Sequence, residues 1–158
     1  GRIPERITHN DTKFNNVMLD DQTGEGLAVL DLDTVMPGLA LYDFGDMVRT
    51  ATSPASEDER DLSKVGLQFP MFEALVRGYL AAAGAVLTAD EKRLLPVAGK
   101  LITFEIGLRF LADFLQGDVY FKTHRDGQNL DRCRTQFRLM ESIEAQEPRL
   151  TELVRSLC

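Results

Sequence analysis

The sequence predicts a mostly helical α+β fold in which a small β-hairpin near the amino-terminal end is followed by helices. Two short apolar runs, Val17–Leu19 and Leu27–Leu32, flank a turn-forming segment that contains Gly24 and Gly26. Beyond Pro37 the apolar residues change to the three-and-four spacing of helices. With 158 residues the chain is long enough for one domain with its own core.

The strands come first along the chain. One is predicted at Glu5–His9, where Ile7 and Thr8 are β-branched, and a polar loop follows it. Leu27–Leu32 is compact and apolar, so it is predicted to be a buried strand. Together with Val17–Leu19 it would form the hairpin.

The helices begin after the hairpin. Asp43 is expected to cap a helix over Phe44–Thr52, because its carboxylate can accept the free N–H groups of the first turn. Ser53–Asp61 is polar and charged and is expected to be a solvated loop. A second helix is predicted at Phe69–Ala83 and ends at Gly84.

The longest helix is predicted after Thr88, which can form a capping box with Glu91. Apolar residues at steps of three and four predict its buried face: Val97, Leu101, Phe104, Leu108, Leu111 and Leu115. Pro96 is expected to start or kink this helix. Another helix is predicted at Leu130–Glu147, and Pro148 is expected to begin a last one that ends near Leu157.

Charge and composition exclude several classes of protein. Lys and Arg number 18 and Asp and Glu number 25, so the net charge of −7 argues against non-specific nucleic-acid binding. The best apolar run, Tyr79–Leu87, is too short to cross a membrane. Cys133 and Cys158 are too few for a disulfide framework, and a cytoplasmic protein is expected. Because position 1 is Gly, the chain is expected to start inside a longer protein.

The segment from His9 to Asn16 carries the clearest chemistry. It fits the kinase catalytic-loop pattern His-x-Asp-x-x-x-x-Asn, placed where a strand ends. Phosphoryl transfer needs a carboxylate that orients the attacking hydroxyl and accepts its proton, and oxygen ligands for Mg²⁺. Asp11 is therefore the predicted base, and Asn16 a predicted magnesium ligand. His9 is expected to be a packed histidine that holds the loop by hydrogen bonds.

A second acidic position is expected after the hairpin, and Asp31 occupies it. Asp31 lies at the end of the apolar run, fifteen residues after Asn16, where a charge is costly unless it is paired or binds a metal. Asp31 is thus the predicted magnesium-bridging carboxylate. Asp33 is either a further metal ligand or a turn-capping residue, and Lys13 is either a phosphate ligand or a solvated lysine.

A family resemblance adds to this interpretation. The segments ITHNDTKFNNVMLD, VLDLDTVMPG, LYDFGDMVR and GLRFLADFLQGDVYFK resemble the aminoglycoside phosphotransferase and choline kinase superfamily, and within it the N-acetylhexosamine 1-kinases. The resemblance extends over essentially the whole chain. It implies a protein-kinase-like carboxyl-terminal lobe, residues 1–158, whose nucleotide-binding amino-terminal lobe is not part of this chain.

The resemblance also implies residue roles. Asp11 would be the base, Asn16 and Asp31 would bind Mg²⁺, and Arg109 and Tyr120 would line the sugar pocket. Asp43 would brace the catalytic loop besides capping its helix. From spacing alone, Glu105, Arg109 and Asp113 also fit a row of surface ion pairs, and Tyr120 also fits ordinary packing.

These observations lead to one expected function. The protein is expected to be a Mg²⁺-dependent kinase that transfers phosphate from ATP to a sugar hydroxyl, most simply the anomeric hydroxyl of an N-acetylhexosamine. The alternatives are an aminoglycoside, choline or homoserine-type acceptor, or a kinase-like module that binds without transfer. The partners would be the sugar, the nucleotide and the amino-terminal lobe, with no nucleic acid and no membrane. The chain alone is expected to be inactive.

Overall fold

A computed structural model describes residues 3–158. Four short strands come first: β1 (Arg6–Thr8), β2 (Val17–Leu19), β3 (Gly26–Val29) and β4 (Met36–Gly38). Four helices follow: α1 (Ala40–Ala51), α2 (Phe69–Ala83), α3 (Ala89–Leu115) and α4 (Gln128–Leu157). Single turns of 3-10 helix lie at Phe14–Asn16, Leu32–Thr34 and Leu62–Lys64. The mostly helical α+β prediction is confirmed.

The strands form two separate antiparallel pairs. β2 pairs with β3, which confirms the predicted hairpin. β1 pairs with β4, with Arg6 opposite Gly38, and this second pair was not predicted. Pro37 lies in β4 opposite Ile7, where a two-stranded ribbon tolerates the missing N–H because only one edge needs to be paired.

The predicted burial of the Leu27–Leu32 strand is wrong. Leu27 is 60% exposed and Val29 is 56% exposed, and β3 ends before Asp31. The apolar run was interpreted as a buried strand, but no helix of residues 3–158 covers either face of the hairpin. Asp31 follows the strand at the surface in a left-handed conformation with φ of 60°.

The helices enclose the core. Phe44, Phe72, Leu139 and Leu150 are among its fully buried side chains, contributed by α1, α2 and α4. α3 crosses between α1 and α4 and packs against both. Its contact with α1 is close at Gly99, where an added Cβ atom would lie only 2.5 Å from Cγ1 of Val48.

Helix α1 begins earlier than predicted. It starts at Ala40 after Leu39, whose backbone is extended, so Asp43 lies within the first turn and is not the N-cap. The residues before Asp43 are good helix formers, and the helix includes them. This leaves the Asp43 carboxylate free to bond elsewhere.

The predicted buried face of α3 is also wrong. Leu101, Phe104 and Leu108 are between 41% and 51% exposed. The buried face instead carries small and polar residues, among them Gly99, Thr103 and Gly107, together with the apolar residues Leu95, Ile102 and Phe110. Small residues were not counted in the apolar pattern, yet they are what allow α1 and α4 to approach α3 closely.

The helix ends were predicted with mixed success. Phe69–Ala83 is confirmed as a helix, and the capping box is present, with Thr88 N donating to Glu91 at 2.7 Å and Glu91 N to Thr88 Oγ1 at 3.2 Å. Pro96 lies inside α3 and does not start it. Pro148 lies inside α4, so the two predicted carboxyl-terminal helices are one continuous helix. Leu150, two residues after this proline, is fully buried.

Candidate active site

The loop between β1 and β2 is fixed by a residue of helix α1. The Asp43 carboxylate accepts the backbone N–H of His9 at 2.9 Å and that of Asn10 at 2.7 Å. Thr12 Oγ1 donates to the Asp43 carbonyl at 2.6 Å. Asn10 has φ of 63°, a conformation that Asn tolerates better than most residues. The first turn of α1 therefore holds the loop that presents Asp11.

Two donors on the same loop orient the Asp11 carboxylate. Lys13 Nζ donates to Asp11 Oδ2 at 2.6 Å, and Asn16 Nδ2 donates to the same oxygen at 2.9 Å. Partial burial tends to raise the pKa of Asp11, but the hydrogen bonds from Lys13 and Asn16 outweigh it and hold that pKa below its ordinary value. Asp11 is therefore a carboxylate at neutral pH, with the other oxygen, Oδ1, free of these donors.

Hydrogen bonds to Leu30 bring Asp31 next to this loop. His9 Nε2 lies 3.0 Å from the Leu30 carbonyl oxygen, and Leu30 N donates to the Asn16 carbonyl at 2.8 Å. His9 is buried, as predicted for a packed histidine. Leu30 is therefore hydrogen bonded to both His9 and Asn16, and Asp31 is the next residue along the chain.

The donor set at this edge fits a hard cation. Asn16 uses its Nδ2 group on Asp11 but makes no hydrogen bond through Oδ1 to the described residues, and Asp31 makes none through its carboxylate. No group of three His, Cys, Asp or Glu side chains within residues 3–158 is arranged to hold a metal alone. A Mg²⁺ ion would therefore be held by Asn16 and Asp31 and completed by phosphate or water oxygens. The assignments of Asn16, Asp31 and the exposed Asp33 as ligands stay predictions.

A cavity of about 1000 Å³ opens beside the catalytic loop. Asp11 and Lys13 line one end of it, and Arg109 and Tyr120 also lie in its wall. The structure therefore places the predicted base and the predicted sugar-binding residues around one space. Asn16 and Asp31 are not among the lining residues, although Asn15, which precedes Asn16 in the chain, is one of them.

Arginines cover the aromatic faces of this cavity. The guanidinium carbon of Arg109 lies 5.7 Å from the ring centre of Tyr120 and 5.5 Å from that of Phe121. The guanidinium carbon of Arg132 lies 5.4 Å from the ring centre of Phe110. Such cation–π contacts hold the guanidinium groups in place while their N–H groups remain able to donate.

Asp113 is a supporting residue that sequence analysis missed. Its carboxylate accepts the N–H groups of Val119 at 3.0 Å, Tyr120 at 2.7 Å and Phe121 at 2.9 Å. Asn129 Nδ2 also donates to it, at 2.9 Å. Asp113 is 3% exposed and makes no ion pair with Arg109, so the interpretation of this row as surface ion pairs is wrong for it. Its turn-forming Gly117-Asp118 neighbours were the only sequence signal.

The loop after α1 closes the cavity. Glu57 accepts from Arg49 Nη1 at 3.0 Å and lies 3.4 Å from Nε of Arg132, so it joins α1 to α4. Thr135 Oγ1 donates to the Glu59 carbonyl at 3.1 Å. Ser53–Asp61 was predicted to be a solvated loop, but these contacts attach it to the helices. Glu57 is one of the acidic residues that make these contacts, and no recognisable sequence motif surrounds it.

Asp46 is the second carboxylate near the base. Its Oδ1 atom accepts from Arg49 Nε at 2.9 Å, whereas its Oδ2 atom is buried without a partner among the described residues. Burial raises the pKa of Asp46 above its ordinary value, Arg49 opposes this, and the nearby Asp11 charge adds to the increase.

The ionised Asp11 carboxylate, on a loop between strands and beside a polar cavity, matches the arrangement expected of a kinase-like transferase. Residues 2–95 match the model of the phosphotransferase enzyme family, abbreviated APH, and the chain belongs to this family. Members of this family have a kinase-like fold and use ATP with Mg²⁺. The match includes the catalytic loop and α1 and ends within α3, before Arg109 and Tyr120. Within residues 3–158, no helix is long and apolar enough to span a bilayer.

Proposed function

We propose that the protein is a Mg²⁺-dependent small-molecule kinase that transfers the γ-phosphate of ATP to a sugar hydroxyl, in the first instance the anomeric hydroxyl of an N-acetylhexosamine. One observation supports this most directly. The oriented carboxylate of Asp11 and the side chains of Arg109 and Tyr120 line the same cavity. An acceptor held by Arg109 and Tyr120 would therefore be within the space that the base serves.

Each residue then has a role in the transfer. Asp11 accepts the proton of the attacking hydroxyl and orients its oxygen toward the phosphate. Asn16 and Asp31 would hold Mg²⁺, which would neutralise charge on the phosphate. Lys13 donates to Asp11 and helps to keep it ionised. Most of the acceleration comes from positioning and electrostatics.

The cavity favours a neutral acceptor over a polycationic aminoglycoside. Its ionisable lining groups nearly balance, with the acidic side chains of Asp11, Asp46, Glu57 and Glu105 against the basic side chains of Lys13, Arg49, Arg109, Lys122 and Arg132. Three of the four carboxylates already pair with cationic lining residues, so the cavity offers few unpaired negative charges to an acceptor with several ammonium groups. A sugar carries no charge and hydrogen bonds to both kinds of group.

The aromatic residues argue against choline in the same way. A quaternary ammonium is bound by open aromatic faces. Here Arg109 lies over Tyr120 and Phe121, and Arg132 lies over Phe110. Because these faces already contact a cation, the guanidinium groups are better suited to donate to hydroxyl or acetamido oxygens of a sugar.

The proposal also includes a nucleotide-binding lobe that packs against the hairpin of β2 and β3. β2 and β3 expose apolar side chains on both faces, including Met18 at 46% and Leu27 at 60%. A contiguous exposed apolar surface of this kind is typical of an interface. We propose that a nucleotide-binding lobe packs there, and that the 158-residue chain alone does not transfer phosphate.

The test is an acceptor panel with the full-length protein. ADP release is measured with N-acetylglucosamine, N-acetylgalactosamine, an aminoglycoside, choline and homoserine, each with and without Mg²⁺. The proposal expects turnover with an N-acetylhexosamine and at least a hundredfold loss of kcat in Asp11→Asn, the size of a general-base contribution. Asp21→Asn, in the exposed turn of the same hairpin, is the control and should retain activity. Turnover only with choline or an aminoglycoside would refute the sugar assignment.

A further inference from the structure

One buried amide in the cavity wall has no partner in the protein. Gln136 on α4 is 3% exposed and lines the cavity. Its Oε1 atom is buried and accepts no hydrogen bond from any residue between 3 and 158. Most buried polar side chains are hydrogen bonded, and leaving one unpaired has a free-energy cost. A residue that carries such a cost at a cavity wall is a candidate for contact with a ligand.

The residues around Gln136 show that partners were available to its neighbours. On the same helix, Thr135 Oγ1 donates to the Glu59 carbonyl at 3.1 Å, and Arg132 Nη1 donates to Asn129 Oδ1 at 2.8 Å. The position of Gln136 is also fixed. A Cβ atom at Gly107 of α3 would lie 3.1 Å from its Cβ, so the two helices are in close contact there.

We propose that Gln136 is a specificity-determining residue that hydrogen bonds the acceptor substrate. This rests on the proposed function, because it assumes that the acceptor occupies the cavity beside Asp11. A neutral amide can both donate to and accept from a ligand, which matches the hydroxyl or acetamido groups of an uncharged sugar. A site built to bond such a group discriminates strongly against an analogue that lacks it, because its own polar atoms are then left unpaired.

A second unpaired acceptor supports the same ligand class. Asp46 Oδ2, on α1, is buried without a partner among the described residues, and Asp46 lines the same cavity. Gln136 and Asp46 therefore present unpaired acceptors from two different helices. A ligand with several hydroxyl hydrogens can bond both, whereas a ligand with one hydroxyl can bond only one of them.

The competing explanation is a structural role. Thr103 Oγ1, on the buried face of α3, is also unpaired, so an unpaired atom at Gln136 is compatible with a role in the α3–α4 contact alone. The two explanations differ in what a leucine at position 136 should do. A structural role predicts a loss of thermal stability and no change toward the acceptor. A ligand role predicts the reverse, because removing an unpaired buried amide does not destabilise the empty protein.

The experiment uses the full-length protein with N-acetylglucosamine, or whichever acceptor of the panel it phosphorylates. Gln136→Leu is expected to raise the acceptor KM at least tenfold and to leave the ATP KM and the Tm without acceptor unchanged. Gln146→Leu is the matched control on the same helix. Because Gln146 Nε2 donates to the Leu67 carbonyl at 2.9 Å, that variant should lower Tm and leave the acceptor KM unchanged.

Deoxy analogues of the acceptor identify the contact. The wild-type protein should discriminate against one deoxy analogue, and Gln136→Leu should lose that discrimination specifically. If Gln136→Leu does not fold, Gln136→Met provides the same comparison. An unchanged acceptor KM and unchanged discrimination would overturn the role of Gln136 while leaving the kinase proposal intact. Absence of any phosphorylated acceptor in the panel, with the wild-type protein, would instead count against the proposed function.

Discussion

The carboxylate of Asp113 accepts the backbone N–H of Tyr120 at 2.7 Å, so a residue on α3 determines where an aromatic residue seven positions later lies in the cavity wall. The same carboxylate bonds the N–H groups on either side of Tyr120. Three consecutive amides held by one side chain give the segment a single conformation. A side chain of helix α3 therefore fixes the position of this part of the cavity wall.

Removing this contact should weaken acceptor binding. In Asp113→Ala the three N–H groups lose their acceptor, and the segment that carries Tyr120 should become mobile. We expect the acceptor KM to rise at least tenfold while the ATP KM stays unchanged, as measured by steady-state kinetics. Asp118→Ala, which removes a carboxylate from the same turn but leaves Asp113 in place, is the comparison. A larger effect in Asp118→Ala would contradict the role of Asp113.

Lys13 should control the acid limb of the pH profile. Asp11 has a lowered pKa, so it stays ionised to a lower pH than an ordinary Asp carboxyl does. In Lys13→Met a lowering influence on the Asp11 pKa is lost and burial remains, so the pKa should rise. The acid limb of kcat/KM should move to higher pH. Lys122→Met, a lysine of the same cavity that does not bond Asp11, should leave the limb where it is.

The pair Arg6–Glu91 should make stability depend on pH. Arg6 donates to both Glu91 oxygens at 2.8 Å, and this bonding, together with the Thr88 cap, lowers the Glu91 pKa to about 2. The unfolded chain has a higher pKa, so the stabilisation is complete above about 4.5 and is lost as the pH falls toward about 2. Urea unfolding across this range should show it.

Glu91→Gln tests the same pair at constant pH. The variant should lower the free energy of unfolding by about 1–3 kcal/mol at pH 7 and flatten its pH dependence between pH 2 and 4.5. Glu73→Gln, which breaks the exposed Glu73–Arg77 pair on α2, should cost less than about 0.5 kcal/mol. Equal losses in the two variants would mean that burial of Glu91 adds nothing.

Glycines on two helices should respond in opposite directions. Gly99→Ala would place a Cβ atom 2.5 Å from Val48 Cγ1, and we expect a loss of about 1–3 kcal/mol from overpacking. Gly78, in α2, has open space around its Cβ position. Gly78→Ala should therefore stabilise by about 0.5–1 kcal/mol. Urea midpoints of the two variants check both values, and a gain in Gly99→Ala would contradict the close α1–α3 contact.

The loop between β1 and β2 could be located from the sequence because its motif depends on a local spacing, although the catalytic role of Asp11 stays a prediction. His9, Asp11 and Asn16 lie within eight residues, and Asn16 Nδ2 donates to Asp11 over that short separation. The hydrogen bonds that Asp43 accepts from His9 and Asn10 agree with the bracing role that the family resemblance implied, whereas its predicted position as the N-cap of the helix was wrong. In a local pattern of this kind, the spacing along the chain largely determines how close the side chains lie to one another.

The rest of the site depends on long-range packing, which the spacing of residues does not encode. Glu57, Gln136 and Asp46 meet the cavity only because α1, α3 and α4 pack as they do. The burial of α3 was misjudged for the same reason. Leu101 and Phe104 formed the stronger apolar pattern, but the neighbouring helices approach the face that carries Gly99 and Gly107.

The base and the acceptor wall come from different stretches of the polypeptide. Asp11 is braced by β1, the hairpin and the first turn of α1, whereas Arg109, Tyr120 and Gln136 come from α3, α4 and the turn between them. Under the proposed function, most substitutions that change acceptor preference would fall within residues 105–136, with Asp46 on α1 as an exception, and would leave the loop that carries Asp11 unaltered. A directed library confined to that stretch would be the economical route to altered selectivity.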